Sequence, residues 1–119
     1  MAATDNIEAA YQRGFQLRCD GRYGEAKAEF TRVLAMDPRH CEARWQMGLI
    51  QGFEGDFDGS LSTLQAVARD YPRNVNVLYD LAMTEMMLGM DDEAVSNFVK
   101  VLQLDPSHEN AKKQLSYYQ

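Results

Sequence analysis

Adjacent His40 and Cys41 have the residue types of a base and a nucleophile, an imidazole beside a thiol that it would have to deprotonate. No Asn or Asp pattern accompanies them to orient the ring, and Cys41 stands where a helix opens and a small residue suffices. His40 and His108 are metal-ligand types, but they lie two 34-residue periods apart. If each period is one helical hairpin, they are separated by roughly 20 Å, too far to share an ion. The acidic run Asp91, Asp92 and Glu93 falls at a helix start, where negative charge complements the helix dipole without calcium. Gly52, Gly55 and Gly59 are too scattered for a phosphate loop and lack a following Lys with Ser or Thr. The expectation is a protein without catalytic residues, metal or cofactor.

The elements that hold these residues follow a strict period. Pro38, Pro72 and Pro106 are the only prolines, spaced by 34 residues, and the tetrapeptides around them are similar: DPRH, YPRN and DPSH. Laying residues 7–40, 41–74 and 75–108 over one another aligns small residues at Gly14, Gly48 and Ala82, and again at Ala26, Ser60 and Ala94. Glycines align at Gly21, Gly55 and Gly89, large apolar residues at Phe30, Leu64 and Phe98, and valines at Val33, Val67 and Val101. Within the second unit Ala43, Met47 and Ile50 share one helical face, and Leu61, Leu64, Val67 and Ala68 repeat that spacing after Gly55. Each unit is therefore two antiparallel amphipathic helices. The glycine ends the first by taking the left-handed conformation, and the proline ends the second by barring helix from its predecessor. The small columns let the helix backbones approach while the Phe30 column fills the space beside them. Such a hairpin cannot bury its apolar faces alone and must stack on its neighbours.

The spacing predicts helices near 5–19, 23–36, 41–53, 57–70, 75–88, 91–104 and 108–118, and no strand. Asp5 with Glu8 reads as a capping box for the first helix, and Arg13 replaces the Met47 and Leu81 of later units, as suits a helix with nothing before it. Ser107 is placed to cap the last helix, whose Ala111, Leu115 and Tyr118 form one apolar face. The expected domain is one array over residues 1–119, complete with its end caps.

Charge and composition narrow the partners. With 18 acidic against 12 basic residues and no basic stripe, the chain would repel a phosphate backbone, so nucleic acid is not expected. No apolar run is long enough for a bilayer, and the N-terminus lacks the pattern of a secretory signal. Cys19 and Cys41 do not make a disulfide framework, which suits a reducing, cytoplasmic setting; Cys19 reads as a packing residue on an apolar helix face.

Over residues 7–108 the pattern resembles the tetratricopeptide repeat, a 34-residue helix–turn–helix with small residues in both helices, then an aromatic and a terminal proline. Gly14, Ala26, Phe30 and Pro38 match it, as do Ala82, Ala94, Phe98 and Pro106; Gly48, Ser60, Leu64 and Pro72 match more loosely. The chain departs from the family where an early tryptophan is usual. Ala10, Arg44 and Leu78 stand there, each followed by an aromatic: Tyr11, Trp45 and Tyr79.

The resemblance implies an all-α, right-handed solenoid of three helix pairs with a seventh capping helix. It also implies a concave groove formed by positions two, five, six, nine, twelve and thirteen of each unit. Here those positions give an apolar floor of Tyr11, Phe15 and Cys19, then Trp45, Leu49 and Phe53, then Tyr79, Met83 and Met87, with Met86 added. Glu8, Gln12, Glu42, Gln46, Asn76 and Asp80 would form an acidic and amide rim. The competing reading is that the fifth-position aromatics stack on neighbouring repeats. The subfamily that clamps a chaperone carboxylate uses Lys and Asn in the first A helix, Asn in the second, and Lys and Arg in the third; this chain has Tyr11, Phe15, Gln46, Asn76 and Asp80 there, with no cation, so that ligand is not expected. The function implied is a binding module or small chaperone-like adaptor, monomeric or weakly associating, for an apolar peptide or helix with basic flanks. The alternative is a structural subunit that self-associates through the same surface.

Overall fold

Gly21, Gly55 and Gly89 have φ of 78°, 90° and 76°, the left-handed geometry that closes a helix and that a side chain resists. They separate the helices of each hairpin. The computed structural model describes residues 6–118, as α1 (Ile7–Cys19), α2 (Tyr23–Met36), α3 (Cys41–Phe53), α4 (Phe57–Asp70), α5 (Val75–Met87), α6 (Asp91–Leu104) and α7 (Glu109–Ser116). No strand occurs among the described residues, and no described helix is long and apolar enough to cross a membrane. The helices pack as pairs, α1 on α2, α3 on α4 and α5 on α6, and each pair packs on the next, with α7 on α6. The result is an all-α, right-handed solenoid elongated to 56 × 27 × 22 Å.

Close packing inside a hairpin is between a small residue and a large side chain. A Cβ at Gly14 would lie 2.8 Å from the Phe30 ring, and one at Gly48 would lie 3.0 Å from Leu64. The Phe30 column thus sits directly on the small column instead of beside it. Ser60 replaces the usual alanine and satisfies its buried hydroxyl by donating to the Gly48 carbonyl at 2.7 Å. Polar clasps at equivalent positions, 34 residues apart, also join the two helices of a hairpin. Asn97 Nδ2 donates to Glu85 Oε1 at 2.7 Å, and Thr63 Oγ1 donates to Gln51 Oε1 at 2.6 Å.

One column has a role that residue type had concealed. Asn6, His40, Asn74 and His108, each 34 residues from the next, are the N-caps of α1, α3, α5 and α7. Their side chains accept from the backbone N–H three residues on, at 2.8, 3.1, 3.1 and 3.0 Å. In the histidines the acceptor is Nδ1. His40 and His108 are therefore structural. The expected cap of α1 by Asp5 lies outside the described residues; Asn6 makes the bond, and Glu8 accepts from Gln12 instead. The expected cap of α7 by Ser107 is also replaced. His108 makes it, while Ser107 folds back to donate its hydroxyl to Asp105 Oδ1 at 2.8 Å. Helix α7 stops at Ser116, with Tyr117 and Tyr118 in a turn, and it lays Ala111, Leu115 and Tyr118 on the core.

Candidate functional site

Stacking the pairs sets α1, α3 and α5 side by side, with direct contacts between α1 and α3 and between α3 and α5. Two of the three fifth-position aromatics on this face are occupied with packing. Tyr11 lies 5.7 Å from the Phe30 ring and 5.5 Å from that of His40. Tyr79 repeats this, 5.8 Å from Phe98 and 5.0 Å from His108. Each therefore ties its own second helix to the cap of the next repeat, in agreement with the stacking reading. Trp45 is half-buried, and its Nε1–H donates to Asp80 Oδ2 at 2.7 Å.

Two expected rim residues lie deeper than a rim. Gln46 is only 1% exposed. Asp80 faces inward to Trp45. Burial pushes its carboxyl above the usual carboxylate range, opposed by the Trp45 hydrogen bond and by the charge of Arg18. Glu8, Gln12, Glu42 and Asn76 are exposed. Met86 packs on the core cluster. Cys19, the last residue of α1, is exposed and is not the packing residue expected. At Cys41, burial first and then the charge of Glu42 raise the thiol pKa, and Asn74 donates to its sulfur. That is the opposite of nucleophile activation.

The accessible apolar surface lies toward the C-terminal ends of these helices. Leu49, Gly52 and Phe53 of α3, Phe57 and Ser60 of α4, and Asp80, Met83, Thr84 and Met87 of α5 line a cleft of ≈ 180 Å³. Phe53 and Met87 are 53% and 62% exposed, an unusual position for side chains of this size. Phe53 is braced from below by the Tyr23 ring at 5.7 Å. The patch continues to Phe15 through Arg18, whose guanidinium carbon lies 5.1 Å from the Phe15 ring and 5.9 Å from that of Phe53.

Arg18 and Phe57 are absent from the expected groove, though both left a trace in the sequence. Arg18 occupies position twelve of the first unit, where later units carry Gly52 and Met86. Phe57 is a large aromatic just past the Gly55 turn, at a position that the family groove does not include.

Two models described as tetratricopeptide repeat match the chain, one over residues 42–74 and the other over 75–108, together more than half of it. No curated protein sequence matches. Among solved structures, residues 41 to the end of MamA from Desulfovibrio magneticus RS-1 superpose with a TM-score of 0.80 at 24% identity, covering 94% of this chain and 63% of that one. YrrB, described as a TPR protein with an unusual peptide-binding site, gives 0.81 at 23%, covering 94% and 58%. The first TPR of Spaghetti (RPAP3), bound to the HSP90 peptide SRMEEVD, gives 0.86 at 17%, covering 93% and 88%. The chain thus spans about three fifths of the MamA and YrrB chains that it matches.

Proposed function

Because the chain belongs to the tetratricopeptide repeat family, we propose that it is a protein-interaction scaffold that takes an apolar peptide or helix with basic flanks on its concave face. The observation that carries this reading is the open cleft walled by Leu49, Phe53, Phe57, Met83 and Met87. Methionines adapt to a partner's shape, and the aromatics supply contact area at low conformational cost. Repeats 7–40, 41–74 and 75–108 with the terminal helix 108–118 act as one binding unit of a monomer. The free thiols of Cys19 and Cys41 fit a reducing, cytoplasmic setting.

The solved relatives support the peptide part of this reading in different degrees. YrrB is described by its peptide-binding site and the RPAP3 domain by its bound peptide. The latter peptide, SRMEEVD, is acidic. This chain offers Tyr11, Phe15, Gln46, Asn76 and Asp80, none of them a cation, where the carboxylate-clamping subfamily carries Lys, Asn, Asn, Lys and Arg, and its net charge is −6. A basic partner is therefore favoured, with charge raising the on-rate and the apolar anchors supplying most of the affinity.

Trp45 makes the proposal testable without a label. Its emission should change on titration with an amphipathic peptide carrying leucines and flanking lysines, and respond far less to the same peptide flanked by glutamates. Phe53→Ala combined with Met87→Ala should weaken binding about tenfold or more. Equal binding of the two peptides would refute the charge preference. A tight dimer that the Phe53 and Met87 substitutions dissolve would replace this reading by self-association through the same surface.

A further inference from the structure

Asp80 stands out from the rest of the cleft wall. Its neighbours there include the apolar Leu49, Phe53, Met83 and Met87 with the neutral Ser60 and Thr84, and among the described residues its carboxylate accepts from Trp45 on Oδ2. Among the described residues no Lys, Arg or His is within ion-pair distance of it. Arg18 acts on it only through space, its guanidinium being stacked between Phe15 and Phe53. A carboxylate in such a wall is desolvated with no cation in direct contact, an arrangement that an incoming cation would relieve.

We propose that this cleft receives a lysine side chain of a protein partner, its stem lying along Leu49, Phe53 and Met83 and its ammonium ending on the Asp80 carboxylate. The inference rests on the concave-face reading above and adds the identity of the anchor. Lysine fits better than arginine. Trp45 already donates to Oδ2, so the two oxygens are not equally open to a guanidinium fork, whereas a compact ammonium needs only one of them. The stem is aliphatic and matches the wall. The indole N–H fixes one oxygen of the carboxylate, so the acceptor is already held in place before the partner arrives.

The test uses two capped tripeptides, acetyl-Leu-Lys-Leu-amide and its norleucine counterpart, which has the same stem and no charge. The readout is the indole N–H resonance of Trp45, the only tryptophan in the chain. In the wild type the lysine peptide should move this resonance at about tenfold lower concentration than the norleucine peptide. In Asp80→Asn, which keeps the size of the side chain and an acceptor for Trp45, the two peptides should act at the same concentration, with unfolding curves confirming the fold. Equal potency of the two peptides on the wild type would overturn the lysine anchor and leave the apolar cleft standing. Failure of both peptides to move Trp45 or any cleft resonance would overturn the anchor and the concave-face reading together.

Discussion

Glu85 is 3% exposed and accepts from Asn97, yet burial, the larger influence, raises its carboxyl pKa above the ordinary 4.5. Its folded form therefore holds a proton more tightly than its unfolded form. The stabilisation that this provides is complete below the ordinary value and is lost as pH rises through the folded one. Glu85→Gln, which retains an acceptor for Asn97, should consequently be more stable than the wild type at neutral pH. The difference should close as the pH falls below about 4.5, as chemical denaturation at several pH values would measure. Phe98, wholly buried, should by contrast cost about 3–5 kcal/mol on replacement by alanine, at any pH; a loss under about 1 kcal/mol would remove it from the core. Phe98 was legible in the sequence because large apolar residues recur in its column. Gln46 and Asp80 were not, since a polar residue is drawn inward by a particular partner. For Asp80 that partner is Trp45, 35 positions away, and no local spacing encodes the pair.

Helices in this chain start and stop by two devices of unequal visibility. The stops were plain from Gly21, Gly55 and Gly89, since a recurring glycine marks a left-handed position. The starts of α3 and α7 were hidden because histidine is not a usual N-cap, although Asn6 and Asn74 share its column. That equivalence yields a sharp expectation. His40→Ala removes the acceptor for Ala43 and the ring against Tyr11 and should cost about 1 kcal/mol or somewhat more. His40→Asn should recover most of the loss, because Asn74 performs the same task at the next repeat. Denaturant midpoints of the three proteins decide it, and an asparagine variant as weak as the alanine one would show that ring packing, not capping, is the contribution of His40. The cleft also belongs to this scale. Its position at the C-terminal ends of α3 and α5 arises because the fifth-position aromatics near the N-terminal ends are consumed in joining repeats, leaving Phe53 and Met87 without a covering helix.

Across the whole stack, buried side chains form two clusters. One comprises Ala10, Ala26, Phe30, Val33, Ala43 and Ile50; the other runs from Leu64 through Phe98 to Ala111 and draws in Trp45, Leu115 and Tyr118. The second is larger and takes in residues of α7. In an elongated array each unit is held chiefly by its neighbours, so opening free energies should vary along the chain. Amide hydrogen exchange should therefore show α1 and α2 opening more readily than α5 and α6. Phe30→Ala should deepen that contrast, raising exchange in α1 and α2 while leaving α5 and α6 close to wild type. Uniform acceleration along the chain would mean that the two clusters unfold as one. The cleft draws its walls from α3, α4 and α5, and its Trp45–Asp80 bond crosses from the second repeat to the third. A ligand seated there can protect both of those repeats at once, while the first contributes only the Phe15 and Arg18 margin. Exchange measured with the lysine tripeptide present should accordingly slow in α3 and α5 and remain nearly unchanged in α2, and slowing confined to α1 and α2 would move the binding site to the other end of the groove.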